Sequence, residues 1–184
     1  EVFGMVKGTH VVFVLDCSGS MALNWRKTTR WNAMLTELHK VLTQQLPEGT
    51  RFNLLPFKDR LFPLSKEWMT LNAESLASVG KFIKSLRPGG GGAGLSPGLE
   101  MALRMYAGYA VPSCAVVLSL TRWWCRPDVD AIYCLTDGCR GEWGDIRRFQ
   151  QGVPINCVTM GQDHETRRIM QGVSQISGGE LRQV

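Results

Sequence analysis

The sequence contains no apolar run long enough to cross a membrane, and its N-terminus lacks the basic and apolar segments of a secretory signal. Apolar runs in the 184-residue chain reach only strand length, whereas a membrane-spanning helix needs about 20 apolar residues. The sequence also has no Asn-X-Ser/Thr acceptor for N-glycosylation. Its length fits one domain, residues 1–184. Because the chain does not begin with methionine, we expect it to be part of a longer protein.

Several common binding patterns are absent as well. The six cysteines form no Cys-X-X-Cys pair, which argues against a zinc site. The net charge of +5 comes from scattered basic groups rather than one basic stripe, which argues against nucleic-acid binding. The glycine run at residues 89–92 is not followed by the Gly-Lys-Ser/Thr of a P-loop. Scattered thiols indicate a reducing, intracellular environment. A disulfide between Cys114 and Cys125 is an alternative that the sequence leaves undecided.

Strand and helix patterns alternate along the chain. Buried strands are predicted at residues 11–15, 52–57, 131–135 and 155–160, with short strands at 61–64 and near Leu181. Helices are predicted after a cap at Thr28 or Thr29, after Asn72, from Ser96, over residues 143–151, and after Asp163. This order predicts a doubly wound, Rossmann-like α/β fold: a mainly parallel sheet with helices on both faces. Residues 61–64 would form one antiparallel edge strand, because Pro63 fits poorly in a central one.

Oxygen-bearing side chains follow two of the predicted buried strands. Asp16, Ser18 and Ser20 come after the first strand at a spacing of two, which points side chains the same way in an extended segment. Asp137 follows another strand, and ligands bind beyond the carboxyl ends of parallel strands. Four hard oxygen ligands suit Mg²⁺ and leave a coordination position open. The alternative is that residues 16–20 only cap a helix.

These segments resemble the von Willebrand factor A-type (vWA) domain over nearly the whole chain. Residues 16–20 resemble the family's Asp-X-Ser-X-Ser signature, residues 51–57 its second strand, and residues 135–138 the strand end that supplies its distal aspartate. The resemblance implies a metal-ion-dependent adhesion site (MIDAS) on a non-enzymatic protein–protein interaction module. Its metal ligands would be Asp16, Ser18, Ser20 and Asp137, and the bound metal would grip an acidic residue of a partner protein.

The sequence departs from the family pattern in two places. Ala93 stands where the family has a threonine in the glycine-rich loop, so a water would have to replace the threonine oxygen. We therefore expect Mg²⁺ to bind weakly, or only when the partner is present. Residues 111–126 form an atypical insertion, interpreted either as an added element packed on the core or as a patch in which Trp123 and Trp124 dock a partner.

Three functional classes stay open at this point. The first is the partly degenerate MIDAS module, and the second is a metal-free structural scaffold of a large intracellular assembly, favoured by Ala93. The third, a Mg²⁺-dependent phosphoryl hydrolase, is disfavoured because Ser18 replaces the second aspartate of the haloacid-dehalogenase-like pattern. The expected location is the cytoplasm, with the cilium or axoneme and the nucleus as family-level alternatives. An extracellular location is less expected, and the sequence does not define the partner or the oligomeric state.

Overall fold

A computed structural model describes residues 2–91, 95–104, 129–138, 145–150, 152–161 and 163–184, which build a six-stranded sheet with helices around it. The strands are β1 (His10–Asp16), β2 (Asn24–Trp25), β3 (Thr28–Thr29), β4 (Arg51–Phe57), β5 (Met69–Thr70), β6 (Ala131–Thr136), β7 (Ile155–Thr159) and β8 (Leu181–Gln183). The sheet order is β5-β4-β1-β6-β7-β8, with β2 and β3 forming a separate hairpin. All neighbours in the sheet are parallel except β4 and β5.

Three of the described helices, α1, α2 and α4, begin at local capping signals. The described helices are α1 (Arg30–Lys40, continued by a π-helical turn Val41–Gln45), α2 (Ala73–Ser85), α3 (Leu95–Arg104) and α4 (His164–Ser177), with 3₁₀ turns Gly19–Ala22 and Ile146–Phe149. Thr29 Oγ1 accepts a hydrogen bond from Asn32 N at 3.2 Å to cap α1, and Asn72 forms a capping box with Ser75 at α2. Asp163 caps α4, as the sequence predicts.

Alternate residues of β1 pack against two different helical layers. Val11, Phe13 and Leu15 share a buried cluster with side chains of α1 and α2, whereas Val12 and Val14 share another with α3 and α4. Successive side chains of a strand point to opposite faces of its sheet. The central strands are therefore covered on both sides, which is why they read as unbroken apolar runs.

The predicted doubly wound fold with an antiparallel edge strand is confirmed, but the edge strand lies elsewhere. It is β5, not residues 61–64, which form only one bridge, between Leu61 and Phe57. Leu64 N still donates to Leu54 O at 2.9 Å and Phe62 N to Pro56 O at 2.8 Å. A ladder cannot extend there because Pro63, between these two donors, has no N–H.

Two further predictions concern residues that the structure describes only in part or not at all. The helix predicted over residues 143–151 is only the short 3₁₀ turn Ile146–Phe149 where the structure describes it. The insertion at 111–126, with Trp123 and Trp124, lies outside the described residues, and so does Ala93. Among the helices that are described, none has both the length and the apolar character to cross a membrane.

Candidate functional site

The two aspartates singled out by the sequence lie at the same edge of the sheet. Strands β1 and β6 are parallel neighbours, and Leu15 pairs with Leu135. This register sets Asp16, the last residue of β1, beside Thr136, the last residue of β6. Asp137 follows directly, so both carboxylates stand beyond the carboxyl ends of adjacent strands, where ligands bind in open α/β sheets.

A continuous row of hydrogen bonds joins three of the four candidate ligands. Ser20 Oγ donates to Asp137 Oδ1 at 2.6 Å, and Ser18 Oγ lies 3.0 Å from Ser20 Oγ. Two hydroxyls and a carboxylate therefore stand side by side. The spacing of two predicts that Ser18 and Ser20 lie with Asp16, whereas the carboxylate in this row is that of Asp137.

Asp16 lies below this row. The residue is fully buried, its Oδ1 accepts from Ser18 N at 2.8 Å and its Oδ2 accepts from Thr136 Oγ1 at 2.7 Å. Burial raises the pKa of the Asp16 carboxyl, and the hydrogen bonds from Ser18 and Thr136 offset part of that rise. Asp16 thus anchors the Ser18 backbone and ties β1 to β6.

The segment after β1 is not simply a helix cap. Thr29 caps α1, and Ser18 precedes the 3₁₀ turn Gly19–Ala22 without any side-chain capping hydrogen bond. Its hydroxyl instead faces Ser20. The turn is held from the opposite side by the glycine run, since Gly19 N donates to Gly90 O at 3.3 Å.

Asp137 also has a cationic partner that the sequence analysis does not identify. Arg30 Nη1 lies 2.7 Å from Asp137 Oδ2, and the Asp137 side chain is only 1% exposed. Arg30 is the first residue of α1, and nothing local distinguishes it from an exposed helix-face cation. The pair is separated by 107 residues in sequence, so only the folded sheet brings it together.

A cleft of about 360 Å³ opens above these groups. Its lining consists of Ser18, Gly19, Ser20, Gly90, Gly91, Asp137, Gly138 and Asp163. Asp163, predicted only as a helix cap, is thus also a wall of the cleft. Hydrogen bonding from Thr166 lowers the pKa of its carboxyl, which favours the charged form there. The buried Asp16 does not line the cleft.

The donor set fits a hard divalent cation. Ser18, Ser20 and Asp137 all line the cleft and bring two hydroxyls and a carboxylate together, and Mg²⁺ prefers a few such oxygens together with waters. In the part of the chain that the structure describes, no group of three or more His, Cys, Asp or Glu residues could hold a metal. Any ion here would therefore depend on the serine hydroxyls, and the effect of Ala93 stays a prediction.

A family model described as the von Willebrand factor type A domain matches residues 9–183, whereas no curated protein matches the chain. Among solved structures, 112 chains match. One is the von Willebrand factor type A protein from Catenulispora acidiphila, at 19% identity and a TM-score of 0.67, covering 95% of this chain but only 38% of that one.

Two other structural neighbours extend the comparison. The SpRpn10 VWA domain has 14% identity and a TM-score of 0.66, with 95% of this chain and 87% of that chain covered. Proximal thread matrix protein 1 from the mussel byssus, solved with a zinc-occupied MIDAS motif, has 14% identity and a TM-score of 0.64, with 95% and 43% covered. At such identities the likeness shows the shared fold.

Proposed function

The chain belongs to the von Willebrand factor type A family, and from that premise we propose that its cleft is a partly degenerate MIDAS that binds Mg²⁺ weakly and docks an acidic side chain of a partner protein. Domains of this family commonly mediate protein–protein interaction and are generally not enzymes. The proposal for this chain rests on one observation: the hydrogen-bonded row of Ser18, Ser20 and Asp137 at the mouth of the cleft.

Each residue of the site has a distinct task in this proposal. Of the four ligands predicted from the sequence, Ser18, Ser20 and Asp137 hold the cation in this proposal. Asp16, the fourth, is buried and outside the cleft lining, and it fixes the loop that presents the serines. When bound, the ion supplies positive charge at the cleft, which attracts a partner's carboxylate. The zinc-occupied MIDAS of the mussel thread protein supports this assignment, because a site on this fold there accepts a divalent ion.

The burial of Asp16 argues against a phosphoryl hydrolase. A nucleophilic aspartate must reach the phosphorus atom, but Asp16 is fully buried. Both of its carboxylate oxygens already accept hydrogen bonds, from Ser18 N and Thr136 Oγ1. A non-enzymatic role therefore fits this geometry better.

A metal-free scaffold is the second candidate, and one observation favours it. Arg30 already neutralises Asp137 without any metal, at an Nη1–Oδ2 distance of 2.7 Å. Partner binding would then be insensitive to chelators. We also propose an intracellular location, supported by the buried thiols of Cys17 and Cys157, which form no disulfide within the described residues.

Isothermal titration of Mg²⁺ and Mn²⁺ tests the metal site. We expect weak, saturable binding to the wild type and its loss in Ser20→Ala and Asp16→Ala, because the first removes a ligand and the second releases the loop. Ser78→Ala, which removes an exposed hydroxyl on α2, is the matched control and should bind as the wild type does. Flat traces for both ions in the wild type would leave the scaffold as the remaining candidate.

A further inference from the structure

Both oxygens of Asp137 are already engaged within the folded chain. Ser20 Oγ donates to Oδ1 at 2.6 Å, and Arg30 Nη1 donates to Oδ2 at 2.7 Å. The Asp137 side chain is almost completely buried. The carboxylate is therefore paired with a protein cation before any metal arrives.

Arg30 occupies a defined position between two strand ends. Its guanidinium lies against Gly161, just beyond β7, where an added Cβ would stand 3.4 Å from Nη2 and 3.8 Å from Cζ. The Arg30 side chain is only 20% exposed, so it is packed into the site rather than extended into solvent. The fold thus reserves space for this guanidinium beside Asp137.

The same position leaves part of the guanidinium unsatisfied. Arg30 Nε is buried and has no hydrogen-bond partner among the described residues. A buried N–H without a partner forfeits its hydration, and water restores that hydration when the group moves out. The Arg30–Asp137 contact is therefore favourable at Nη1 and unfavourable at Nε, which makes it a contact that another cation can displace.

We propose that Arg30 is a displaceable internal counterion that competes with the divalent cation for Asp137. The inference rests on the proposed function, because it requires the cleft to accept such an ion. Two cations on one carboxylate repel each other, and this repulsion is strong where water is excluded. Metal binding therefore requires Arg30 to release Oδ2, and a partner's carboxylate that arrives with the metal reduces the repulsion. Competition of this kind explains weak metal binding independently of Ala93.

Substitution of Arg30 tests the competition directly. In Arg30→Gln we expect Mg²⁺ and Mn²⁺ to bind about tenfold more tightly than in the wild type, since loss of one charge-assisted hydrogen bond shifts an equilibrium by at least that order. The matched control is Lys27→Gln, which removes the same charge from an exposed position in the neighbouring hairpin turn. Its affinity should stay within about twofold of the wild type, as expected for a solvent-screened charge.

Thermal unfolding provides a second readout. Without metal, Arg30→Gln should melt below the wild type, because Asp137 loses its only cationic partner within the described residues. Added Mg²⁺ should raise the melting temperature of the variant more than that of the wild type. If Arg30→Gln does not fold, Arg30→Lys takes its place: the shorter side chain loosens the contact, and metal should still bind more tightly than in the wild type.

The outcomes separate this inference from the proposed function. Equal affinities for the wild type and Arg30→Gln, both abolished by Ser20→Ala, would overturn the competition but keep the metal site. An equal gain in Lys27→Gln and Arg30→Gln would reduce the effect to general charge and likewise overturn it. No binding by either the wild type or a folded Arg30→Gln would overturn both proposals, because removal of the counterion should open the site.

Discussion

Replacement of Thr136 by valine measures how much the hydrogen bonds of its buried hydroxyl, beneath the candidate site, contribute to the free energy of unfolding. The Thr136 hydroxyl accepts from Gly138 N at 3.1 Å, and its proton has two acceptors within reach, Asp16 Oδ2 at 2.7 Å and Gly138 O at 2.8 Å. Both Thr136 and Asp16 are fully buried. Valine keeps the shape of threonine and removes only the hydroxyl, so Asp16 would lose one of its two donors without any cavity being formed.

The structure supplies a matched control on the next strand. Thr159 of β7 pairs in register with Thr136 and is also buried, but its hydroxyl has no hydrogen-bond partner among the described residues. A hydrogen bond to a charged group contributes about 1.5–3 kcal/mol, whereas removal of a buried, unpaired hydroxyl is neutral or stabilising. Thr136→Val should therefore lower the free energy of unfolding by about 1.5–3 kcal/mol, and Thr159→Val should leave it unchanged or raise it.

Urea unfolding followed by circular dichroism measures both variants. For a domain of this size the loss in Thr136→Val corresponds to roughly 3–12 °C in Tm. The slopes of the urea transitions should be unchanged, because neither variant alters the surface exposed on unfolding. Equal destabilisation by the two substitutions would refute the reasoning, since it would show that the hydrogen bonds of the Thr136 hydroxyl with Asp16 and Gly138 add nothing beyond the loss of a hydroxyl from a buried strand.

Two further predictions concern helix packing and pH. Gly98→Ala should destabilise the protein by about 1–2 kcal/mol, because the new Cβ would stand 2.9 Å from Val14 Cγ1. Gly80→Ala should instead stabilise it by about 0.5–1 kcal/mol, because no atom lies within 4 Å of its new Cβ. Thermal melts that rank the two variants in the opposite order would contradict this. Burial raises the folded-state pKa of Asp16 above its unfolded value, so its stabilising contribution is present below pH 3.8 and is lost as pH rises through the folded pKa. The stability of Asp16→Asn relative to the wild type should therefore increase between pH 4 and pH 7 in metal-free urea titrations, and a pH-independent difference would contradict the raised pKa.

The central sheet could be predicted because its signals are local and redundant. Unbroken apolar runs mark strands buried on both faces, and Thr29, Asn72 and Asp163 each mark a helix start through a side chain that bonds within its own turn. The edge strand was predicted at residues 61–64 but lies at β5. Which segment pairs with β4 depends on which backbone N–H groups are free to donate to it, and this is not visible in a local pattern. Pro63 removes one of these donors, and β5 supplies the pairing instead.

The residues of the candidate site were likewise predictable only in part. The spacing of Asp16, Ser18 and Ser20 and the strand end before Asp137 reveal the oxygen ligands, because each lies directly after an apolar run. Arg30 and Thr136 carry no such signal, since their roles arise only when β1, β6 and α1 come together. A sequence pattern identifies groups that could bind a ligand, but not the groups that already bind one another.

The hydrogen bonds of the site bear directly on how tightly a metal can bind. Ser18, Ser20 and Asp137 are already hydrogen-bonded in a row, and Arg30 donates to Asp137 at the end of that row. A metal therefore exchanges existing contacts for new ones, and its net affinity is the difference between the two sets. The same contacts hold the oxygens close together in advance, which lowers the ordering cost of binding. If the cleft binds a metal as proposed, such a site keeps its shape without the ion, binds the ion weakly on its own, and binds it more tightly when a partner's carboxylate adds to the gain.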